Sequence, residues 1–472
     1  MPVRNPNGNA TFTATHGRKH YVNEQKHHEM QWRTGTGPAP AKHKQQSIMK
    51  TILFSMLLLA GTTAYAQKYV GGDISMLPKY EEAGAKYYSH EGKGVTDVLS
   101  FFKEQGMNAM RVRLFVDPKK QTTDDGKWTT DENVCQDLNW VKALGKRIKE
   151  KGLKFMLDFH YSDTWADPGK QWTPAAWASL DDNALAQKLY SYTKDALQQL
   201  KAAGAEPDMI QTGNEISYGM MWGQPNGTLK QCWPSSPADN WTRFTNLLKQ
   251  ATKACREECP NAKIIVHVER TSVSQQKDNE NYAALSNFFK KMKEAGIDYD
   301  IIGLSYYPYF HGAISELEGA IDLLEKNYAD KSIMVVEFGY PYAWAVGGST
   351  YDYSPKYPYS DAGQKAVTAD VVTMLGKHKN VNGLFWWWPE YNAYGAGLSG
   401  WYNAPLFDSR TGRATSALAE LCKFASSTAG IGNTTINNKV GSDNNYYTLA
   451  GQRISTPSHG VYIHKGRKEL KR

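Results

Sequence analysis

Crosslinking sulfur is scarce. The 472-residue chain holds five cysteines, an odd number: Cys135, Cys232, Cys255, Cys259 and Cys422. So few in so long a chain exclude a disulfide framework, the device of small domains with too little core. Cys255 and Cys259 sit four apart with no second Cys pair or His to complete a zinc site. The five therefore read as buried or incidental thiols, with room for one disulfide. Net charge is also nearly missing. The formal value is +8, but residues 1–66 carry eight Lys/Arg against two Asp/Glu, and the remainder is left at +2. That leaves no electrostatic footprint for nucleic acid. A phosphate-binding glycine turn is absent as well. Gly71-Gly72 falls before Asp73 and no G-x-G-x-x-G follows it, which excludes the dinucleotide signature.

Aromatics, by contrast, are plentiful, with 14 Trp and 28 Tyr. They suit a large core, or a cleft that stacks flat ligand faces such as sugar rings; composition does not choose. Near the start, Lys50, the apolar segment Ile52–Ala60 and the small-x-small site Ala64-Tyr65-Ala66 form the pattern of a secretory signal peptide over residues 49–66. The apolar segment is too short to span a bilayer as a stable helix. Residues 1–48, which hold five of the 12 His, then read as upstream sequence translated in error, or as a disordered extension on a signal anchor. The expectation is export to the periplasm, cell surface or exterior, as a monomer.

From residue 67 a rhythm sets in. Short apolar runs begin at Tyr69, Asn108, Lys154, Asp208, Lys263, Ile301, Ser332 and Val381. Amphipathic stretches separate them, and several of these end on glycine: Gly106, Gly152, Gly204 and Gly296. Strands alternating with helices imply parallel βαβ units. Eight such repeats predict a (β/α)8 barrel over residues 67–425, with a doubly wound open sheet as the alternative. The long insertions, His160–Leu180, Tyr218–Asp239, Tyr340–Ser360 and Pro389–Arg410, all follow strands, where a barrel builds its site. Residues 426–445 are a Gly/Ser/Asn/Thr linker by composition. Residues 446–472 read as two short strands, a hairpin-like tail with a basic end.

Two carboxylates stand out. Glu215 ends the fourth run in "DMIQTGNEISYGMMW", directly after Asn214. Glu337 ends the seventh in "SIMVVEF", after three apolar residues, where a charge needs a partner or a task. Strands four and seven face each other across a barrel, so both acids can converge on one ligand. Two such carboxyls in unlike environments are the equipment for cleaving a glycosidic bond.

Together with "MRVRLFVDP", "DFHYSDTWADPGKQWTPAAW", "GNEISYGMMW", "LSYYPYFHG" and "GLFWWWPE", this pattern resembles the family-53 glycoside hydrolases, the endo-β-1,4-galactanases, over about Tyr69–Lys423. The resemblance implies Glu215 as acid/base, Glu337 as nucleophile, and Asn214 on the hydroxyl beside the anomeric carbon. It implies Arg111 as the cation that holds Glu337 ionised, although Arg113 shares its parity and the two are not separated. Tyr307 would hydrogen-bond Glu337. Asp158 and His160 would share a face of strand three, and Trp387 would floor the subsite with Trp165 nearby; Asp73 is the remaining substrate-binding candidate. Phe338 departs from the small polar residue expected after the nucleophile, and Trp386-Trp387-Trp388 from a single Trp. Tyr309 and His311 are taken as surface-loop residues. The implied reaction is retaining endo-hydrolysis of β-1,4-galactan in pectin side chains. The alternatives are another β-linked glycan, mannan or glucan, or a glycan-binding barrel without turnover. No cofactor is required. Some bacterial relatives carry a structural calcium in a late loop, for which "STYDYSPKYPYSD" shows no recognisable spacing.

Overall fold

The computed structural model describes residues 67–120, 131–272, 280–396 and 402–426, together with four short strands between residues 446 and 471. The upstream segment 1–48, the expected signal peptide 49–66 and the linker from residue 427 to 445 lie outside the described residues.

Eight strands close into one parallel barrel in chain order: β1 (Tyr69–Asp73), β2 (Ala109–Leu114), β3 (Lys154–Phe159), β4 (Met209–Thr212), β5 (Lys263–Val268), β6 (Ile301–Tyr306), β7 (Ser332–Phe338) and β8 (Val381–Trp386). The ring shuts where Tyr69 pairs with Gly383. Helices return along the outside: α1 (Val98–Gln105), α2 (Leu138–Glu150), α3 (Asp182–Ala202), α4 (Ala238–Glu258), α5 (Glu280–Ala295), α6 (Ile314–Asn327), α7 (Asp361–Leu375) and α8 (Ala417–Cys422). The eightfold repeat is as the sequence indicates.

Local chemistry sets the helix ends. Asp97, Asp137, Asp181 and Ser360 each accept a backbone N–H from the first turn of their helix, which satisfies an otherwise orphaned donor. The four glycines that mark helix stops all have left-handed φ, from 65° at Gly296 to 113° at Gly106, a region costly for any residue with a Cβ. Gly71 has a different reason. A Cβ there would lie 1.8 Å from the carbonyl oxygen of Ala109, so only glycine lets β1 approach β2.

Alternation along each strand divides the core in two. Outward residues such as Val112, Leu157, Ile210, Val266 and Val335 pack under the helices. Inward residues Ala109, Met156, Met209, Ile265, Ile301, Met334, Val336 and Phe385 form an apolar plug at the base of the barrel. One position higher on most strands the inward residue is polar, and that layer builds the site.

All five cysteines are free thiols. The tail holds more than the expected hairpin: Gly460–His464 and Arg467–Lys471 pair antiparallel, and Tyr446–Tyr447 and Arg453–Ile454 extend them to a four-stranded sheet. Among the described residues no helix is long and apolar enough to cross a membrane.

Candidate active site

Above the apolar plug, the barrel interior presents Asp73, Arg111, Asp158, Gln211, His267, Ser305 and Glu337, one from each of β1 to β7. All are buried. Arg111 is the hub. Its guanidinium lies 3.0 Å from Asp73 Oδ2, 2.8 Å from Asp158 Oδ2 and 3.0 Å from Glu337 Oε1, and it donates to Asn214 Oδ1 at 2.8 Å. Burial works against its charge, but Asp158, Glu337 and Asp73 outweigh burial and raise its pKa. Burial likewise pushes the Asp158 carboxyl up, yet Arg111 and His160 bring it below the usual range.

This arrangement separates the two arginines that strand parity leaves equivalent. Arg111 reaches the acids. Arg113, one step up, approaches Asp73 only at 3.7 Å and packs among indoles, its carbon Cζ 4.6 Å from the ring centroid of Trp165 and 4.9 Å from that of Trp387.

Glu337 does not follow simple alternation. Met334 and Val336 face inward, so strict period two would turn Glu337 outward. A register shift lies between the pairs Leu304–Val335 and Ser305–Glu337, and a second between Leu384–Val335 and Trp386–Phe338. This β-bulge delivers Glu337 to the interior. It also sends Phe338 outward, parallel to Tyr306 and edge-on to Trp386, so the departure at Phe338 places nothing in the site.

Glu215 lies beyond its strand. β4 ends at Thr212, Gly213 has φ 104°, and Glu215 itself has φ 46°. The expected strand through residue 215 is thus shorter, and the carboxylate rides on a strained turn. A non-glycine residue in this region costs energy and is found where function demands it. The Glu215 N–H points at His267 Nδ1, 3.3 Å away. Ser305 Oγ donates to Glu215 Oε1 at 2.6 Å, and His267 Nε2 lies 2.8 Å from the same Oγ. Burial and Arg111 hold His267 neutral.

One oxygen of Glu215, one of Glu337 and a nitrogen of His267 lie within 4.8 Å of one another. The two carboxyls face one cavity of about 440 Å³ with different partners. Burial and the charges of Glu337 and Glu269 push Glu215 well up, opposed by Ser305. Burial also raises Glu337, but Arg111 and the Tyr307 hydroxyl, which donates to Oε2 at 2.8 Å, pull it back. Of the pair, Glu215 keeps a proton to higher pH and Glu337 is the better anion.

The cavity wall contains Trp165, Asn214, Tyr307, Trp387 and Trp388. Trp386 instead packs outward, its Nε1 donating to Ala404 O. Trp388, past the end of β8, has φ 61° and turns back to the cavity. Tyr309 and His311 also line the cavity, on the short helix Pro308–His311. Their assignment to a surface loop is corrected by that turn, which folds the segment over the barrel mouth. Asp73, Arg111, Asp158 and His160 sit behind the wall. His160 Nε2 lies 3.1 Å from Asp158 Oδ2 and its Nδ1 accepts from Ala166 N, so it braces the loop that carries Trp165. Asn214 spends its Oδ1 on Arg111 and donates from Nδ2 to Ala166 O, yet still borders the cavity. Gln211, His267, Ser305 and Glu269 were missed from sequence. Each has inward parity on its strand, a signal that was available.

In the late loops two carboxylates have protein donors as partners. Asp352 accepts from Ser354 N and the Tyr359 hydroxyl, and Asp408 from Arg410.

A closed parallel barrel with two opposed glutamates at its C-terminal mouth is an arrangement suited to cleaving a glycosidic bond. Residues 69–421 match the profile of Glycosyl hydrolase family 53, and the chain belongs to that family. It is 33% identical over 376 residues to the arabinogalactan endo-β-1,4-galactanase of Cellvibrio japonicus, covering 76% of this chain and 91% of that protein. Identity to the endo-β-1,4-galactanase of Bacillus subtilis is 30% over 328 residues, covering 68% and 70%. The family 53 catalytic domain of Ignisphaera aggregans superposes with a TM-score of 0.62 at 31% identity, over 76% of this chain and 97% of that one. A structure from a study of two fungal β-1,4-galactanases gives 0.61 at 28%, over 75% and 99%.

Proposed function

We propose that this glycoside hydrolase is a retaining endo-β-1,4-galactanase acting on galactan and type I arabinogalactan side chains of pectin. The supporting observation is the pair Glu215 and Glu337, with oxygens within 4.8 Å and unlike surroundings. Retaining enzymes hold their carboxyls about 5–5.5 Å apart, whereas inverting enzymes leave room for a water at roughly 6.5–9.5 Å. Glu337, held anionic by Arg111 and Tyr307, attacks the anomeric carbon. Glu215 gives its proton to the departing oxygen, and a galactosyl ester forms on Glu337. Water then enters, Glu215 takes its proton, and the ester is cleaved with net retention. Trp387 and Trp165 offer the apolar faces on which the attacked sugar stacks. The galactan assignment rests on the names of the relatives. Export through residues 49–66 fits a polymer that cannot enter the cell.

The test uses protein beginning at Gln67, incubated with galactan, mannan and cellulose. Galactan should release oligosaccharides, and NMR should show the β-anomer first. Release from mannan or cellulose alone would overturn the substrate, and an initial α-anomer would overturn retention.

A further inference from the structure

A third carboxylate shares the cavity. Glu269 follows β5 with the same inward parity as His267, is 7% exposed, and lines the wall with Glu215 and Glu337. The double displacement has no task for it. Ser217 Oγ donates to its Oε2 at 2.6 Å, and Arg270 Nε lies 2.9 Å from its Oε1. From there a row of contacts runs outward. The Arg270 guanidinium lies 4.2 Å from the Tyr218 ring centroid, and that ring lies 3.7 Å from the indole of Trp233. Trp233 is 41% exposed, yet it is anchored. Its N–H donates to Ser236 Oγ, its Nε1 to Gln231 Oε1, and its carbonyl accepts from Trp241 Nε1. The indole is thus fixed against Tyr218 and keeps part of its surface in solvent.

The side of the barrel on which these residues stand bears on their role. A proton donor must stand beside the glycosidic oxygen that leaves, so the departing sugars extend past Glu215. Glu215 follows β4, Glu269 follows β5, and Tyr218 and Trp233 belong to the loop after β4. Trp387, the floor for the attacked sugar, follows β8, diametrically opposite β4 in the ring. We infer that Glu269 and Trp233 bind the leaving portion of the glycan, Glu269 through hydroxyls of the first departing sugar and Trp233 by stacking a sugar further out. Burial pushes the Glu269 carboxyl up to about 7 against the Ser217 hydrogen bond; once ionised it is an acceptor-only group with several lone-pair sites. With one oxygen on Ser217 and the other beside Arg270, it presents a fixed edge to vicinal hydroxyls. The inference rests on the acid/base role of Glu215.

Two substrates test it. A galacto-oligosaccharide of five units needs the departing sugars. An aryl β-galactobioside with a good leaving group fills only the opposite side. E269Q and W233A are compared with wild type, each at its own pH optimum. The ratio of kcat/KM for the oligosaccharide to that for the aryl substrate should fall about tenfold or more in E269Q, the loss of one hydrogen bond to a charged group. It should fall about fivefold or more in W233A, with transfer to added galactobiose falling in step. An unchanged ratio in both variants overturns the inference. Should E269Q fail to fold, W233A decides, because its side chain is exposed. A wild-type enzyme that cleaves neither substrate would instead remove the galactanase reading itself.

Discussion

Replacing Tyr307 with Phe isolates one interaction at the proposed nucleophile. The hydroxyl donates to Glu337 Oε2 at 2.8 Å, while the ring rests against Tyr309 and Phe310, contacts that Phe retains. A hydrogen bond to a charged group contributes about 1.5–3 kcal/mol. One pKa unit corresponds to about 1.4 kcal/mol, so the Glu337 pKa should rise by about 1–2 units. The sign follows from the donor: a hydrogen bond given to the carboxylate favours its charged form, and losing it favours the acid. Since Glu337 must be ionised to attack, the acid limb of the pH profile moves to higher pH by that amount. The assay is kcat/KM on an aryl β-galactobioside from about pH 4 to pH 9, which reports the free enzyme. Well below the wild-type limb Y307F should lose roughly ten- to hundredfold, and above both limbs much less. A uniform loss with the limb in place would show that the hydroxyl does not hold the charge of Glu337, and the assignment of roles would fail with it.

E215Q should cut galactan hydrolysis by about 10²–10⁴-fold, the usual contribution of a general acid, yet spare the first turnover of a dinitrophenyl glycoside whose leaving group needs no proton; equal loss on both would remove the acid role. E337A should be inactive on either substrate, and added azide should give a glycosyl azide in an E215A background but not in E337A of retained configuration, which mass and NMR analysis can read. The folded pKa of Glu215 is raised, so its contribution to stability is present at low pH and lost as pH rises through the folded value; E215Q should therefore gain Tm over wild type at about pH 8 and little at about pH 4, and the reverse pattern would contradict the burial argument. R111M leaves Asp73, Asp158 and Glu337 without their shared cation, which should cost about 3–5 kcal/mol of stability in denaturant titration; a loss below about 1 kcal/mol would show that the acids find another partner.

Much of this site was written into the chain locally. Eight apolar runs, the capping acids and the stop glycines each act within a few residues, so the alternation of strand and helix could be read directly. So could the parity that turns Asp73, Arg111, Asp158 and Tyr307 inward, because a strand repeats every two residues whatever lies beside it. The polar residues Gln211, His267 and Ser305 obeyed the same rule and went unread only because their partners lie on other strands. What adjacent strands impose was not legible. The bulge that carries Glu337 inward and Phe338 outward exists because β7 must pair with β6 and β8 at once. The left-handed turn at Glu215 is held by His267 and Ser305 from two other strands. The division of labour between Arg111 and Arg113, and among Trp386, Trp387 and Trp388, was settled by distances of a few ångströms across the barrel. Glu337 apart, sequence determined which residues could face the centre, because that is a property of one strand; closure of the ring decided the exception and which residues meet, because both require the neighbouring strands.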